Sequence, residues 1–263
     1  MSSMLSICTT VKNRSKITVD NKQLLLFPNC IKSLASSLTL GVDVELVISD
    51  WQSDDWKISE WILDAIPYIP IHIITIVGEG FSAGRGRNIA AKHAKGDILF
   101  FMDADMIVNR EVINHGILKV SDGYVYYPTV LYETDGGKQI IHEGGGNVFM
   151  SADMYRESGG WPEFYKHGFE DTDYASTLKK ISKIHTNENI SIFHQWHPQT
   201  TEFKNLYAKE DPQVDLRKQH YQSIQNKQSE NIITAIDFIL NTDPNTTHHN
   251  LNKPIRANNR SFI

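Results

Sequence analysis

The chain is poor in cysteine: its 263 residues include two, Cys8 and Cys30. Two cysteines form no disulfide framework and show no spacing typical of a metal site. Cys8 falls in an apolar, strand-like run and Cys30 on the apolar face of a helix-like segment. A free thiol in such a place usually behaves as a small buried apolar side chain. We therefore expect two buried free thiols and a reducing compartment.

Long apolar runs and excess positive charge are also missing. No window approaches the roughly 18 apolar residues of a membrane span, and the opening MSSMLSICTTVKNR lacks the apolar core of a secretory signal. The net charge is −5 and the isoelectric point is about 6.1, which argues against a protein that holds nucleic acid through a basic surface. The sequence predicts a cytoplasmic protein that binds no nucleic acid and has no transmembrane segment. Peripheral contact with a membrane stays open.

Strand-like and helix-like segments alternate through the first half of the chain. The strand-like runs are MLSICTTV, VELVISD, IHIITIV and DILFFMD, and the helix-like segments between them are FPNCIKSLASSL, WKISEWILDAI and GRGRNIAAKHAK. This alternation is typical of a parallel sheet with helices on both faces. In such sheets ligands lie beyond the carboxyl ends of the strands, where Asp50 and Asp103 both fall.

From about residue 122 the pattern changes. Three adjacent strand-like runs, YVYYPTVLYE, KQIIHEG and NVFMS, are separated by glycine-rich turns, which predicts antiparallel additions to the sheet. Residues 201–241 predict a helical extension, and residues 242–263, rich in asparagine, predict a flexible tail. We expect an α/β fold in which a mostly parallel sheet, flanked by helices, forms one domain over residues 1–200.

Two acidic residues, Asp103 and Asp105, follow the fourth apolar strand. Alternate residues of a strand point the same way, so both carboxylates could face one point beyond the strand. Two like charges at that spacing repel each other unless a cation lies between them. A divalent ion bound to diphosphate oxygens would relieve this repulsion. The alternative is a solvated turn in which the acids cap the next helix.

Two segments resemble family 2-type glycosyltransferases with the GT-A fold, a Rossmann-like sheet. FSAGRGRNIAAKHAKGDILFFMDADMIV resembles their nucleotide-sugar half, which we place at residues 1–121. GGNVFMSADMYRESGGWPEFYKHGFEDTDYASTL resembles the acceptor half of the galactosyltransferase and N-acetylgalactosaminyltransferase branch, placed at residues 122–200. The resemblance implies an inverting enzyme that moves a hexose or N-acetylhexosamine from a UDP-sugar to a hydroxyl of a carbohydrate or glycosylated acceptor. It also implies a divalent metal, usually Mn²⁺, with Mg²⁺ as the alternative.

For the nucleotide sugar, the resemblance implies residues from several segments. Asp103 would contact the ribose and the metal side, and Asp105 would be a direct metal ligand. Asp50 would accept the imide hydrogen of uracil, and a helix cap is its alternative role. The other nucleotide-sugar residues implied here are Thr9, Thr10, Asn13, Arg14 and Ala104.

The GRGRN stretch adds candidate ligands for the diphosphate. Gly84 and Gly86 allow a close approach of the backbone. Arg85 and Arg87 are candidate clamps, because guanidinium groups bind phosphate oxygens through paired hydrogen bonds. Asn88 lies next to Arg87 at the predicted helix start. A solvated surface charge is the alternative role for Arg85.

An inverting transfer needs a carboxylate that takes the proton of the acceptor hydroxyl. The resemblance implies Asp171 as this base and Glu170 as an acceptor-binding residue, and the two roles could be exchanged. Trp161 could stack on a sugar face, as could Phe164 or Tyr165. The structural alternative is that the acids do no more than favour the helix dipole.

The stretch FHQWHPQT supplies the last candidates. The resemblance implies a third metal ligand just after a strand, and His194 directly follows the apolar run ISIF. His197 is the alternative, and we do not expect both to coordinate. A structural histidine is the other interpretation of either residue.

Two other classes of protein compete with a transferase. A non-catalytic module that binds sugar nucleotides or glycans would be expected to lose the base or the metal pair, and both are present. A sugar nucleotidyltransferase would normally carry a glycine-rich signature near the first strand, where this chain has TTVKNRSK.

Overall fold

The structure, a computed structural model, describes residues 3–38, 41–133, 139–143, 145–163 and 170–198. Within them the strands are β1 (Leu5–Val11), β2 (Ile17–Val19), β3 (Lys22–Leu24), β4 (Val44–Asp50), β5 (Ile71–Thr75), β6 (Ile98–Phe101), β7 (Met106–Ile107), β8 (Tyr124–Glu133), β9 (Gln139–Glu143), β10 (Val148–Ser151) and β11 (Lys183–His194). The helices are α1 (Leu26–Ser37), α2 (Ile62–Ala65), α3 (Ala83–His93), α4 (Arg110–Ser121), α5 (Ala152–Glu157) and α6 (Glu170–Ile181). The predicted extension over 201–241 and tail over 242–263 lie outside the described residues, and the proposed domain limits stay predictions.

One nine-stranded sheet organises the chain. Its strand order is β5-β4-β1-β6-β10-β8-β11-β7, and β9 pairs with β8. The strands from the first half, β5, β4, β1 and β6, are parallel. Strand β10 is antiparallel to both β6 and β8, and β9 is antiparallel to β8. The predicted α/β fold with an antiparallel addition is confirmed.

Local predictions differ from the structure in two places. The helix expected over residues 56–66 is reduced to a 3-10 turn at Ile58–Glu60 followed by the short α2. Trp61 is buried there with its ring edge-on to Phe27 of α1, so packing on α1 rather than helical periodicity sets this segment. Strands β2 and β3 form a hairpin that is not predicted from the sequence. Its turn residues Asp20 and Asn21 both have positive φ, as such tight turns require.

The core covers both faces of the central strands. All residues of β1 and β4 are buried. One face packs against apolar side chains of α1 and α4, and the other against α3 and α6. Helix α3 approaches β1 so closely at Gly86 that a Cβ there would collide with the Thr10 hydroxyl. Gly86 therefore allows α3 to pack closely on β1, which is part of the protein itself and not a ligand.

Both cysteines are buried free thiols, as predicted. Burial raises the pKa of the Cys8 and Cys30 thiols, so both stay protonated and take part in the core as small apolar side chains. In the described part of the chain, no helix is long and apolar enough to cross a membrane.

Candidate active site

Three side chains with metal-binding atoms meet at the carboxyl edge of the sheet. Asp105, His194 and His197 each offer one ligand atom, and these atoms all lie within 4.8 Å of one another. Nε2 of His197 lies 3.1 Å from one carboxylate oxygen of Asp105, and Nε2 of His194 lies 3.7 Å from the other. The guanidinium of Arg14 is 4.0 Å from Asp105. The structure thus brings both candidate histidines to Asp105, where the sequence reading expected one to coordinate.

Strand pairing explains this meeting. His194, the last residue of β11, pairs with Met106 of β7. The backbone N–H of Gln195 then donates to the carbonyl of Asp105 at 3.0 Å, which continues the pairing by one residue. Because Asp105 directly precedes β7, this register places the chain from His194 to His197 against the Asp105 carboxylate.

The side chain of Gln195 fixes the same segment to α1. Its amide donates to the carbonyl of Leu26 at 2.9 Å and accepts from the side-chain amide of Asn29 at 3.2 Å. Gln195 and Asn29 are both buried. Neither residue is predicted from the sequence. The only signal there is that Gln195 is a polar residue between the two candidate ligands His194 and His197.

The charges of this group reinforce one another. Burial alone would raise the pKa of Asp105, but His194, His197 and Arg14 hold it well below the ordinary value. Burial lowers the pKa of His194. At His197 burial also acts to lower the pKa. The hydrogen bond and the charge of Asp105 outweigh this effect, so the pKa of His197 is raised. Asp105 is therefore an ionised carboxylate, and His194 offers a neutral ring.

Asp103 lies in a different environment from Asp105. Strand β6 ends at Phe101, so the two aspartates lie in the following turn, around buried Ala104. One oxygen of Asp103 accepts from Arg87 at 2.7 Å and the other from Asn147 at 3.1 Å. The side chain of Asn147 in turn accepts from the backbone N–H of Asp103 at 2.9 Å. The two carboxylates thus have different protein partners, and Asp103 stands outside the Asp-His-His group. Its predicted contact with the ribose and the metal side stays a prediction.

Arg87 joins the turn after β6 to the start of α6. It is 4% exposed, and its guanidinium donates to Asp103 at 2.7 Å and to Glu170 at 3.0 Å. The same group lies 4.4 Å from the centre of the Trp161 ring. Burial alone would lower the pKa of Arg87, but the charges of Asp103 and Glu170 raise it instead. A Cβ at Gly146 would collide with this guanidinium, so a larger residue there would displace the ion-paired group.

The two acids at the start of α6 differ in their partners. Glu170 is buried and paired with Arg87. Burial, followed by the charge of Glu170, raises the pKa of Asp171 to about 6, against the opposing effect of Arg87. The charge of Asp171 also contributes to a raised pKa for Tyr127, although burial is the main cause. Tyr127, whose buried hydroxyl has no hydrogen-bond partner in the described residues, was not identified from sequence.

Trp161 is placed to support the site rather than to line it. Its ring is 3% exposed and packs against Phe101 and Tyr174 as well as the Arg87 guanidinium. The ring is therefore not open for stacking on a sugar in this structure, and its acceptor-binding role stays a prediction. Phe164 and Tyr165 lie outside the described residues.

Arg85 and Asn88 hold α3 to the segment around residue 162. Arg85 pairs with Glu79 at 2.7 Å and with Glu163 at 3.3 Å. The side chain of Asn88 accepts from the N–H of Trp161 at 2.8 Å and donates to the carbonyl of the same residue at 2.9 Å. Both side chains thus have protein partners, and their contacts with a diphosphate stay predictions.

The predicted uracil side is organised by loop contacts. One oxygen of Asp50 accepts from the N–H of Ser53 at 3.0 Å, a contact within the loop after β4. The next helical turn begins only at Ile58, so Asp50 does not cap a helix in this structure. Asn13 has positive φ; its N–H donates to the Ser53 hydroxyl at 2.9 Å, and its side chain accepts from the N–H of Asp54 at 2.9 Å. These bonds join the loops after β1 and β4.

The two threonines of β1 are buried behind these loops. Thr10 accepts from the indole of Trp51 at 2.9 Å. The hydroxyl of Thr9 is buried without a hydrogen-bond partner in the described residues. Direct contact of either threonine with a nucleotide stays a prediction.

Comparison with known proteins agrees with the fold. The chain is similar to the crystal structure of S. aureus TarS 1-349, with a TM-score of 0.60 and 14% identity over 73% of this chain and 60% of that one. For the same protein in complex with UDP-GlcNAc the TM-score is 0.58, with 14% identity over 76% and 60%. The chain thus spans about 60% of the length of these structures. Curated protein sequences yield no match.

These structural likenesses establish a GT-A fold. The sequence model described as glycosyl transferase family 2 matches residues 6–189, which is most of the chain. The chain belongs to glycosyl transferase family 2.

Proposed function

We propose that this chain is a metal-dependent, inverting glycosyltransferase. It would move a hexose or N-acetylhexosamine from a UDP-sugar to a hydroxyl of a glycan or other acceptor. One observation carries the proposal: Arg87 joins Asp103, two residues before Asp105 of the cluster with metal-binding atoms, to Glu170, the neighbour of Asp171, whose pKa is raised. Membership of the family supports the reaction class.

The donor proposal rests on Asp50 and on the structural likeness. Asp50 ends β4 at the carboxyl edge, and an acceptor oxygen there suits the N3–H of uracil. One similar structure is that of S. aureus TarS in complex with UDP-GlcNAc, whose sugar is an N-acetylhexosamine. A galactosyltransferase-like or N-acetylgalactosaminyltransferase-like preference stays a prediction from the acceptor segment.

The residues of the Asp105 group fit a divalent ion. One ionised carboxylate and two imidazoles provide a mixed oxygen and nitrogen ligand set. This set suits Mn²⁺ better than Mg²⁺, which is bound mainly by oxygen ligands and water. When bound, such an ion would neutralise negative charge on the leaving diphosphate. Arg14, beside the same carboxylate, would add a second positive charge toward that diphosphate.

Asp171 is the better candidate for the base. Arg87 holds Glu170 in an ion pair at 3.0 Å, whereas the pKa of Asp171 is raised to about 6, near the range that suits a general base. In the reaction, the acceptor hydroxyl gives its proton to the Asp171 carboxylate while its oxygen forms a bond to the anomeric carbon. The bond from that carbon to the diphosphate oxygen breaks on the opposite face, so UDP leaves and the configuration inverts.

A panel of nucleotide sugars with Mn²⁺ tests this function. We expect release of UDP from a UDP-sugar, slowly to water and faster when a suitable glycan acceptor is added, and an inverted anomeric product by NMR. Release of pyrophosphate would instead indicate a nucleotidyltransferase. Thermal stabilisation by a nucleotide sugar without any turnover across a broad acceptor panel would indicate a binding module. Equal use of a GDP-sugar would contradict the role of Asp50.

A cytoplasmic location belongs to the same proposal. Two buried free thiols and the absence of other cysteines fit a reducing compartment. Cell fractionation with the intact chain would test it, and recovery outside the cytoplasm would contradict it.

A further inference from the structure

A second histidine pair lies at the other end of the sheet. His115 on α4 and His185 near the start of β11 approach each other with their Nε2 atoms 3.3 Å apart. In the pairing of β8 with β11, Tyr126 lies opposite His185 and Tyr132 opposite His194. Six residue steps along β8 therefore separate this pair from the candidate active site, or about 20 Å at the rise of a strand. The proposed transfer reaction uses neither histidine.

We propose that Glu111, His115 and His185 form a site for a divalent transition metal such as Zn²⁺, separate from the active site. Two nitrogen ligands at about 2.0–2.1 Å from one tetrahedral zinc lie about 3.4 Å apart. The Nε2 atoms of the pair already have almost this separation, 3.3 Å. An ion could therefore bind both Nε2 atoms with little movement of either ring.

Glu111 supplies the third ligand. It precedes His115 by four residues on α4, and side chains at this spacing lie on the same helix face. Glu111 is exposed, and its carboxylate would turn toward the two rings to complete the ligand set. Two imidazoles and one carboxylate form a ligand set that zinc uses in proteins, with a fourth position left for water.

The surroundings hold the two rings in place. The centre of the His115 ring lies 4.9 Å from that of Tyr126, edge to face, and the His185 ring contacts Tyr124 and Tyr126 at 5.8 Å. Tyr126 is fully buried, and its hydroxyl has no hydrogen-bond partner in the described part of the chain. The buried wall of the site therefore keeps one polar group that a metal-bound water could satisfy.

The nearby ammonium group of Lys119 does not occupy the proposed metal position. Lys119 lies one helical turn beyond His115, but its ammonium pairs with Asp122 at 3.2 Å and lies over the Tyr124 ring. Burial and the neighbouring His185 lower the pKa of His115, which favours the neutral ring that a metal requires. A bound ion would join α4 to β11, the strand whose far end carries His194.

Zinc and cobalt titrations of the full chain test the site. The active-site cluster is first disabled by Asp105→Asn with His197→Gln, so that the remaining binding reports on the second site. In this background we expect Zn²⁺ to raise the melting temperature and Co²⁺ to give the strong visible absorption of a tetrahedral complex. Adding His115→Gln or His185→Gln should weaken binding about tenfold or more, and Glu111→Gln should weaken it less. His93→Gln, at an exposed histidine of α3, is the matched control and should leave binding unchanged.

Binding in this background that survives both His115→Gln and His185→Gln would overturn the proposal, as would no binding at all. A second measurement covers variants that fail to fold. In the unmodified chain, Zn²⁺ should protect His115 and His185 from acylation of the imidazole, read residue by residue by mass spectrometry. Equal modification with and without Zn²⁺ would also overturn it. Neither readout depends on transferase activity, so the proposed function and this site can fail separately.

Discussion

Arg87 donates to Glu170 across 3.0 Å and thereby ties α3 to the start of α6. The same guanidinium donates to Asp103 at 2.7 Å. One buried cation thus connects the turn that carries the predicted metal ligands to the helix that carries the proposed base. This connection, rather than either motif alone, makes the turn and the helix start one candidate site.

Replacing Arg87 should therefore damage both halves. Arg87→Met leaves Asp103 and Glu170 facing each other without a buried cation, and breaking a buried ion pair in this way costs about 3 kcal/mol or more. We expect a clearly lower urea midpoint and loss of most transferase activity. For stability, Arg85→Met is the matched control on the same helix, because that pair is exposed and such pairs contribute little. An equal fall of the urea midpoint in the two variants would contradict the linking role of Arg87.

Asp105→Asn should abolish turnover and leave the fold intact. The substitution removes the ionised ligand that lies beside both histidines. Mn²⁺ binding by calorimetry and circular dichroism separate loss of the site from loss of the fold. Full activity of this variant with added Mn²⁺ would argue against the assignment. Asp103→Asn should also be severely impaired, through its contacts with Arg87 and Asn147.

Asp171→Asn should slow the transfer by about 10²–10⁴-fold, the range that a positioned general base contributes. Affinity for the UDP-sugar should hardly change, whereas Glu170→Gln should mainly weaken acceptor binding. Separate titrations of donor and acceptor measure the two effects. Near-normal turnover in Asp171→Asn together with an inactive Glu170→Gln would mean that the roles are exchanged. No effect of either change would remove the base from the mechanism.

The pKa of Asp171 also predicts a pH dependence. Because the base must be ionised, kcat/KM should fall as the pH drops below about 6. A carboxyl whose pKa is raised by folding contributes stability below its unfolded value, about 3.9, and that contribution is lost as the pH rises through about 6. The melting temperature should thus decline over this interval more in the unmodified chain than in Asp171→Asn. Parallel curves for the two proteins would contradict the shift.

Gln195→Leu should weaken Mn²⁺ binding about 10–100-fold, the usual effect of losing a group that orients metal ligands. The change keeps the apolar contacts but removes the hydrogen bonds to Leu26 and Asn29. Gln195→Glu, which can still accept from Asn29, should restore part of the affinity. Gln23→Leu, at an exposed position of β3, controls for the chemical change. Unchanged Mn²⁺ affinity in Gln195→Leu would show that backbone pairing alone positions the histidines.

The sequence by itself determined the α/β fold, the buried thiols and the residues to examine. Alternating apolar runs and amphipathic segments predict a parallel sheet because burial on both faces requires them. Acids just after buried strands predict a site at the carboxyl edge, because ligands of parallel sheets bind beyond the ends of the strands. These are local patterns, and each can be recognised within a short stretch of chain.

Only the tertiary structure decided which candidates meet. Arg87, Asp103 and Glu170 are far apart in the chain, and Gln195 joins Asp105 to α1 through pairing between distant segments. Asp103 and the Asp105 group have different partners, and Arg87 is buried whereas the ion pairs of Arg85 are exposed. These differences depend on strand register and on burial of charge. No local spacing encodes these quantities, because they arise only when the sheet and its helices pack together.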